Sequence, residues 1–220
     1  MHIAIIIDGN RRFAKKILKE PWKGHESGAE RVEKLFDWCD ELNVKQLTLY
    51  ALSIENLKRS EKEVAYLMKI FDKELRKLKE DKRLEERKIK IKFIGQRELL
   101  GKDLQNLMKE IEEKTKNNDK FFITFAVAYG GRQEIIDAVK KIISENKEIN
   151  EENFQDYLWM PDSPDFIIRT GGEKRTSNFL PWQSVYSEWI FLDKLWPEFE
   201  KQDLIEAIEE FNKRERRFGK

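Results

Sequence analysis

One cysteine, Cys39, and two histidines, His2 and His25, are all the chain has of soft metal ligands. A single thiol builds no disulfide framework, and no Cys/His zinc spacing exists. The lone cysteine fits a reducing, cytoplasmic compartment. Proline and glycine are sparse, at 5 and 10 of 220 residues. No repeat or low-complexity linker interrupts the chain, so one domain over residues 1–220 is expected. No apolar run approaches the ~18 residues of a membrane-crossing helix. The first expected strand starts almost at Met1, so no cleaved leader is expected either. An excess of one charge is also missing. Lys and Arg number 43 against 42 acidic residues, a net charge of +1, which gives no global reason to expect nucleic acid. The loops G-x-x-x-x-G-K-[ST], G-x-G-x-x-G and G-x-S-x-G are all absent. From the residues alone, a dispersed Ser-His-Asp triad stays open.

Short apolar runs and longer 3.6-period segments are present. Runs at 3–7, 46–50, 89–94, 121–127, 165–168 and 189–192 read as strands. Several are apolar almost throughout, as in strands covered on both faces. Helical periodicity marks 27–42, 61–87, 103–116, 132–144, 151–158 and 201–216. The alternation predicts an α/β domain with a central, mostly parallel six-stranded sheet flanked by helices. In open sheets of this kind, ligands bind beyond the carboxyl ends of the strands.

Those ends share a chemistry. The first strand leads into Asp8, Gly9, Asn10, Arg11 and Arg12, and the second into Ser53, Ile54, Glu55, Asn56, Leu57 and Arg59. The fourth leads into Gly130, Gly131 and Arg132. The fifth leads into Arg169, Gly171, Gly172, Arg175, Thr176, Ser177 and Asn178. Arginine offers a fixed fork to phosphate oxygens, and glycine lets backbone N–H groups come close to an anion. Asp8 and Glu188 border apolar strands, and Mg²⁺ takes one or two carboxylates beside phosphate oxygens. Taken singly, each residue has a plainer reading: Asp8 caps a turn, His25 sits in a loop, Glu188 pairs with a lysine, and the glycine pairs make turns. Their recurrence at successive strand ends points instead to one Mg²⁺–diphosphate site.

The blocks HIAIIIDGNRRFAKK, GHESGAE, LTLYALSIENLKRSEKEV, AVAYGGRQEI, DFIIRTGGEKRTSNFLPWQSVYSE and LWPEF, with RERRFG near the end, occur in this order. Together they closely resemble the cis-prenyltransferases, the undecaprenyl and dehydrodolichyl diphosphate synthases, over essentially the whole chain. The resemblance implies an α/β homodimer with a hydrophobic tunnel. It also implies Mg²⁺-dependent, repeated condensation of isopentenyl diphosphate onto an allylic prenyl diphosphate, each step making a cis double bond. By the same resemblance Asp8 binds Mg²⁺ and helps the allylic diphosphate leave, and Glu188 is a second Mg²⁺-associated carboxylate. Gly9, Asn10, Arg11, Arg12 and Phe13 surround the allylic group. His25, Ser53 and Arg59 lie near the reacting phosphates, Ile54, Glu55 and Leu57 belong to the substrate-binding residues, and Asn56 assists proton removal. Arg169, Arg175, Thr176 and Ser177 match the isopentenyl diphosphate site, and Arg217-Phe218-Gly219 matches a segment that reaches across the dimer. Val64, Leu67, Met68 and Phe71 match a tunnel-lining helix, where bulky residues such as Phe71 or Phe93 would limit product length.

Some positions depart from the common family pattern. Phe13 and Leu57 stand where Trp is usual, Leu52 where Phe is common, and Pro21 where bacterial members carry an Arg that Lys19 or Lys23 would have to replace. These changes and the Lys/Glu-rich helices look archaeal, which implies a geranylgeranyl or farnesyl diphosphate primer and a long polyprenyl diphosphate serving a glycosyl carrier lipid. So insoluble a product implies peripheral membrane contact. Two rivals stand beside this reading: a non-catalytic subunit of a heteromeric synthase, and a generic phosphate-binding module.

Overall fold

The computed structural model describes residues 1–17 and 20–214. The expected contributions of Lys19, of the end of the last helix and of Arg217-Phe218-Gly219 lie outside these. The strands are β1 (His2–Ile6), β2 (Gln46–Ser53), β3 (Ile89–Ile94), β4 (Phe121–Tyr129), β5 (Phe166–Arg169) and β6 (Glu188–Phe191). They form one six-stranded sheet in the order β3-β4-β2-β1-β5-β6. Every pairing is parallel, so all carboxyl ends lie along one edge. The main helices are α1 (Asn10–Lys16), α2 (Gly24–Glu41), α3 (Glu61–Glu80), α4 (Arg83–Glu86), α5 (Lys102–Thr115), α6 (Gly131–Ser144), α7 (Glu151–Tyr157) and α8 (Lys201–Lys213).

Side-chain alternation separates two cores. On one face Ile3, Ile5, Leu47, Leu49, Phe93 and Ile123 pack against Leu35 and Phe36 of α2, Leu67 and Leu75 of α3 and Met108 of α5. On the other, Ala4, Ile6, Tyr50 and Ala126 meet Met160, Phe179 and Leu180. All of β1 is buried, because it has a strand on either side and cover on both faces. Cys39 is a free, buried thiol in α2, and burial pushes its pKa up, away from reactivity. No helix among the described residues is long and apolar enough to cross a membrane.

The structure corrects several expected boundaries. The segment Asn10–Lys16, not among the expected helices, is helical. The helix expected over 61–87 stops at Glu80. Asp81 leaves the helical region at φ −70°, ψ 115°, and its carboxylate accepts from the Arg83 backbone N–H at 2.9 Å and from the Arg83 guanidinium. β2 runs to Ser53 rather than Tyr50 by tolerating a bulge around Ala51 and Leu52 opposite β4.

Gly24 and Gly28 explain the GHESG block. They lie one turn apart on α2, facing Asn10. A Cβ on Gly24 would stand 1.8 Å from the Asn10 carbonyl oxygen, and one on Gly28 would stand 2.3 Å from Asn10 Oδ1. Only bare backbone allows α2 to press this close to the first turn of α1. Trp196, fully buried, closes the same corner. Its Nε1 donates to the Gly28 carbonyl at 2.9 Å, its backbone N donates to the Asp8 carbonyl at 3.0 Å, and its ring stacks on Phe199. Trp196→Ala is expected to lower the unfolding free energy by about 3–5 kcal/mol, measured by urea denaturation. A loss below about 1 kcal/mol would show that the corner does not depend on it.

Candidate active site

The ends of β1, β2 and β5, neighbours in the sheet, open into one cleft of about 810 Å³. Asp8, Gly9, Asn10, Arg11, Arg12, His25, Ser53, Glu55, Asn56, Arg59, Arg169, Arg175 and Ser177 all line it. Most of the strand-end residues singled out in the sequence therefore converge.

Asp8 sits where two arginines meet. Arg169 Nη2 donates to Asp8 Oδ2 at 2.9 Å, and Arg12 Nη2 to Asp8 Oδ1 at 3.3 Å. The Asp8 carbonyl accepts from Thr170 Oγ1 at 2.7 Å, which ties the first loop to β5. Arg169, only 3 % exposed, also donates through Nη1 to Ser177 Oγ at 2.7 Å and to the Arg175 carbonyl. Its guanidinium thus spans the two strand ends. Gly171 must be glycine here: its φ is +87°, and a Cβ would come within 2.5 Å of Arg12 Nη2. Ser177 and Asn178 also adopt positive φ, 50° and 63°, a strained turn of the kind that clusters at ligand sites. Asn178 holds that turn in place. Its carbonyl and Oδ1 accept from the Gly131 and Arg132 backbone N–H groups at 2.9 Å each, and its Nδ2 donates to Glu55 at 3.3 Å.

On the β2 side, Ser53 and Asn56 cap each other. Asn56 N donates to Ser53 Oγ at 3.1 Å, and Ser53 N donates to Asn56 Oδ1 at 3.2 Å. The amide oxygen of Asn56 is therefore engaged with backbone, and its Nδ2 remains as a donor toward the cleft. His25 is largely buried. Burial first, and the Arg59 charge second, lower its pKa from 6.5 to about 4, so the ring is neutral near pH 7. Its Nε2 has no hydrogen-bond partner, so no Ser-His-Asp relay is formed around it.

Several expectations do not assemble here. Glu188 is at the opposite end of the sheet from Asp8. It is in register with Phe166, and Phe166 with Ile3, so Asp8 lies five residues further along, about 16 Å at ~3.3 Å per residue. Its carboxylate accepts from Arg214 Nη1 at 2.5 Å. Glu188 and Asp8 of one chain therefore cannot share an ion. Phe13, Ile54, Leu57 and Thr176 are not in the lining. Leu57 packs against the core and Ile54 lies beside Gly130. At the end of β4, Arg132 is exposed and outside the lining, and Gly130-Gly131 seat the Asn178 turn.

Lys15, Tyr50 and Glu173 also line the cleft without a signal of their own in the sequence, and Asn178 and Leu67, expected at a strand end and in the tunnel wall, line it as well. Glu173 pairs with Arg175 at 2.5 Å and with Arg12 at 3.8 Å. Glu63 lies just behind the cleft, 4 % exposed, facing Arg59, Arg11 and His25. Its signal in the sequence was a charge in line with the buried stripe Leu67, Phe71 and Leu75, four residues apart on α3.

A narrow apolar cavity of about 140 Å³ adjoins the cleft at Ile7, Asn10, His25, Ala51 and Leu67. It runs between α2 and α3 past Val32, Phe36, Ile70 and Phe71 to Phe93 and Phe125, whose rings stack at 5.4 Å. A polar, arginine-lined cleft thus continues into an apolar slot. Among the described residues, no three His, Cys, Asp or Glu side chains cluster as a metal site. Mg²⁺ does not need one, since it is commonly held by one or two carboxylates with phosphate oxygens and water. Asp8, beside Arg12 and Arg169, suits that coordination.

The comparisons with known proteins agree with this geometry. A family model described as putative undecaprenyl diphosphate synthase matches residues 6–219. The tritrans,polycis-undecaprenyl-diphosphate synthase (geranylgeranyl-diphosphate specific) of Pyrococcus furiosus is 47% identical over 228 residues, covering 100% of this chain and 86% of that protein. The enzyme of the same name from Archaeoglobus fulgidus is 48% identical over 217 residues, covering 94% and 86%. Lavandulyl diphosphate synthase from Lavandula x intermedia, solved in complex with dimethylallyl diphosphate, superposes with a TM-score of 0.93 at 35% identity, covering 100% of this chain and 98% of that one. A strand-end cleft of this composition, a matching family model over nearly the full length and archaeal relatives near half identity place the chain in the undecaprenyl diphosphate synthase family, the cis-prenyltransferases.

Proposed function

We propose that the cleft condenses isopentenyl diphosphate repeatedly onto an allylic prenyl diphosphate, giving a long polycis-polyprenyl diphosphate that serves as precursor of a glycosyl carrier lipid. Geranylgeranyl diphosphate is the favoured primer, in keeping with the names of the archaeal relatives. The observation that carries the reading is the placement of Asp8: a carboxylate between Arg12 and Arg169, in a polar cleft that continues into an apolar slot. Gly9 to Arg12 and Arg59 take the allylic diphosphate, with the prenyl tail lying in the slot as a tunnel. Arg169, Arg175 and Ser177 take the isopentenyl diphosphate.

In each round the allylic C–O bond breaks and its electron pair leaves with the diphosphate. The isopentenyl double bond attacks the allylic carbon, and a proton leaves the isopentenyl unit. The guanidinium groups of Arg11, Arg12 and Arg59 stabilise the charge that builds on the departing diphosphate, before any solvent has to reorganise. Asp8 would hold Mg²⁺, which would supply further charge neutralisation for the departing diphosphate. Asn56 is a neutral amide with its oxygen engaged, so it serves as a donor that orients a diphosphate oxygen, and that oxygen accepts the proton. A non-catalytic subunit would not need this complete set, and Asp8, Asn56, Arg169, Arg175 and Ser177 all face one cleft. The poor water solubility of the product favours peripheral membrane contact, and exposed Val185 and Tyr186 beside the edge strand β6 favour a homodimer.

Four outcomes are expected. With Mg²⁺ and labelled isopentenyl diphosphate, purified protein is expected to extend geranylgeranyl diphosphate best among C10–C20 primers, with products sized by mass. If no primer is consumed, the subunit reading replaces this one. Asp8→Asn is expected to stay folded by circular dichroism and to lose about a hundredfold or more in kcat. Near-normal turnover would leave only a diphosphate-binding module. Because burial holds His25 at about 4 rather than 6.5, kcat/KM is expected to lack an acid limb at 6.5 due to this ring. The unfolded chain takes up that proton near 6.5 and the folded chain only near 4, so stability is expected to fall as pH drops through that window. A limb at 6.5 that vanishes in His25→Gln would contradict the buried, neutral ring.

A further inference from the structure

Glu63 carries a cost that needs an explanation. It is in the first turn of α3, where an acidic residue gains from the helix N-terminus while staying in water. Here the residue is instead 4 % exposed, and a buried carboxylate is retained only where it is paired. Its Oε1 accepts from Arg59 Nη1 at 2.9 Å and lies 3.6 Å from Arg11 Nε and 3.8 Å from His25 Nε2. One oxygen thus faces groups from α1, from α2 and from the loop before α3. Arg11, Arg59 and His25 all line the cleft, whereas Glu63 does not. Glu63 therefore stands behind the cations rather than beside any ligand.

We infer that Glu63 is a positioning residue for the allylic diphosphate, its buried carboxylate holding Arg11 and Arg59 as a preset pair. The inference rests on the reading of this side of the cleft as the allylic site. Each guanidinium has five N–H donors. Glu63 accepts from one donor of Arg59 and lies beyond hydrogen-bond distance of Arg11. Most donors therefore stay available to phosphate oxygens, while the side chains lose the rotamer freedom that binding would otherwise have to remove. With His25 neutral, two arginines and one carboxylate leave a net single positive charge at this wall. Without Glu63 the two guanidinium groups repel each other and lose their common anchor.

The first turns of α3 are docked independently of this charge. Lys62 Nζ lies 4.6 Å from the Trp22 ring centroid, and Tyr66 O–H donates to Glu26 at 2.5 Å. Ser60 Oγ caps the helix by accepting from Glu63 N. Glu63→Gln, which keeps the shape and removes the charge, is thus expected to fold.

The test uses the full chain and two substrates varied separately. Glu63→Gln is expected to raise KM for geranylgeranyl diphosphate about tenfold or more, with KM for isopentenyl diphosphate within about threefold. The double variant Glu63→Gln/Arg59→Gln is expected to lose less than the sum of the two single variants, since the Arg59 contact is shared and only the anchoring of Arg11 is lost in addition. Calorimetric titration with geranylgeranyl S-thiolodiphosphate, which resists ionisation, is expected to show the same rise in Kd without turnover. Unchanged KM and Kd in folded Glu63→Gln, equal rises for both substrates, or additive losses in the double variant would overturn the inference. If Glu63→Gln does not fold, Glu63→Asp decides: a smaller rise confined to the allylic substrate supports the inference, and wild-type values overturn it. A wild-type chain that binds the thiolodiphosphate but turns nothing over would sink the proposed activity and leave the Kd comparison to judge Glu63 by itself.

Discussion

The Arg169 guanidinium is the interaction on which the site depends. A charge buried this deeply must be paired, and its partners are Asp8 from the end of β1 and Ser177 with the Arg175 carbonyl from the loop after β5. The pairing is possible because β1 and β5 are parallel neighbours, which brings Ile6 level with Arg169 and puts both strand ends at one edge. Parallel pairing supplies the coincidence in space, and the buried arginine turns it into fixed geometry. Both diphosphate subsites in the proposed function share this one side chain.

The sheet was legible because a strand covered on both faces needs near-continuous apolar residues, and several of the six runs had them. Most of the cleft was legible for a related reason: arginine, glycine and serine recurred where parallel strands end. Boundaries were less so. Asn10–Lys16 is short and carries four cations among seven residues, a pattern with no apolar period, and its helicity comes from docking on Gly24 and Gly28. The stop at Asp81 has no glycine or proline near it to mark it in the sequence.

Some expected site residues lie apart from the cleft of the same chain, for other reasons. Glu188 was grouped with Asp8 because both border apolar strands, but one follows its strand and the other begins its strand, and in a parallel sheet those are opposite ends. Gly130 and Gly131 suggested an anion loop, yet their role is to accept the turn carrying Asn178. Glu63 was passed over because a charged residue in the first turn of a helix needs no special account from sequence alone. Only its burial, and the three side chains that face it, make it informative.

The burial of β1 has a consequence for how the cleft responds to what enters it. A central strand hydrogen-bonded on both sides belongs to the slowest-opening part of a domain, where amide protons exchange only when the whole fold opens. Asp8 is two residues beyond that strand and inherits its stillness. The turn at 171–178 has no strand partner and is held by side chains and a few loop contacts, so it belongs to the faster-opening part. One wall of the cleft is thus fixed by the sheet's own ladder and the other by side-chain and loop contacts, so the two walls that successive units meet are held by different means.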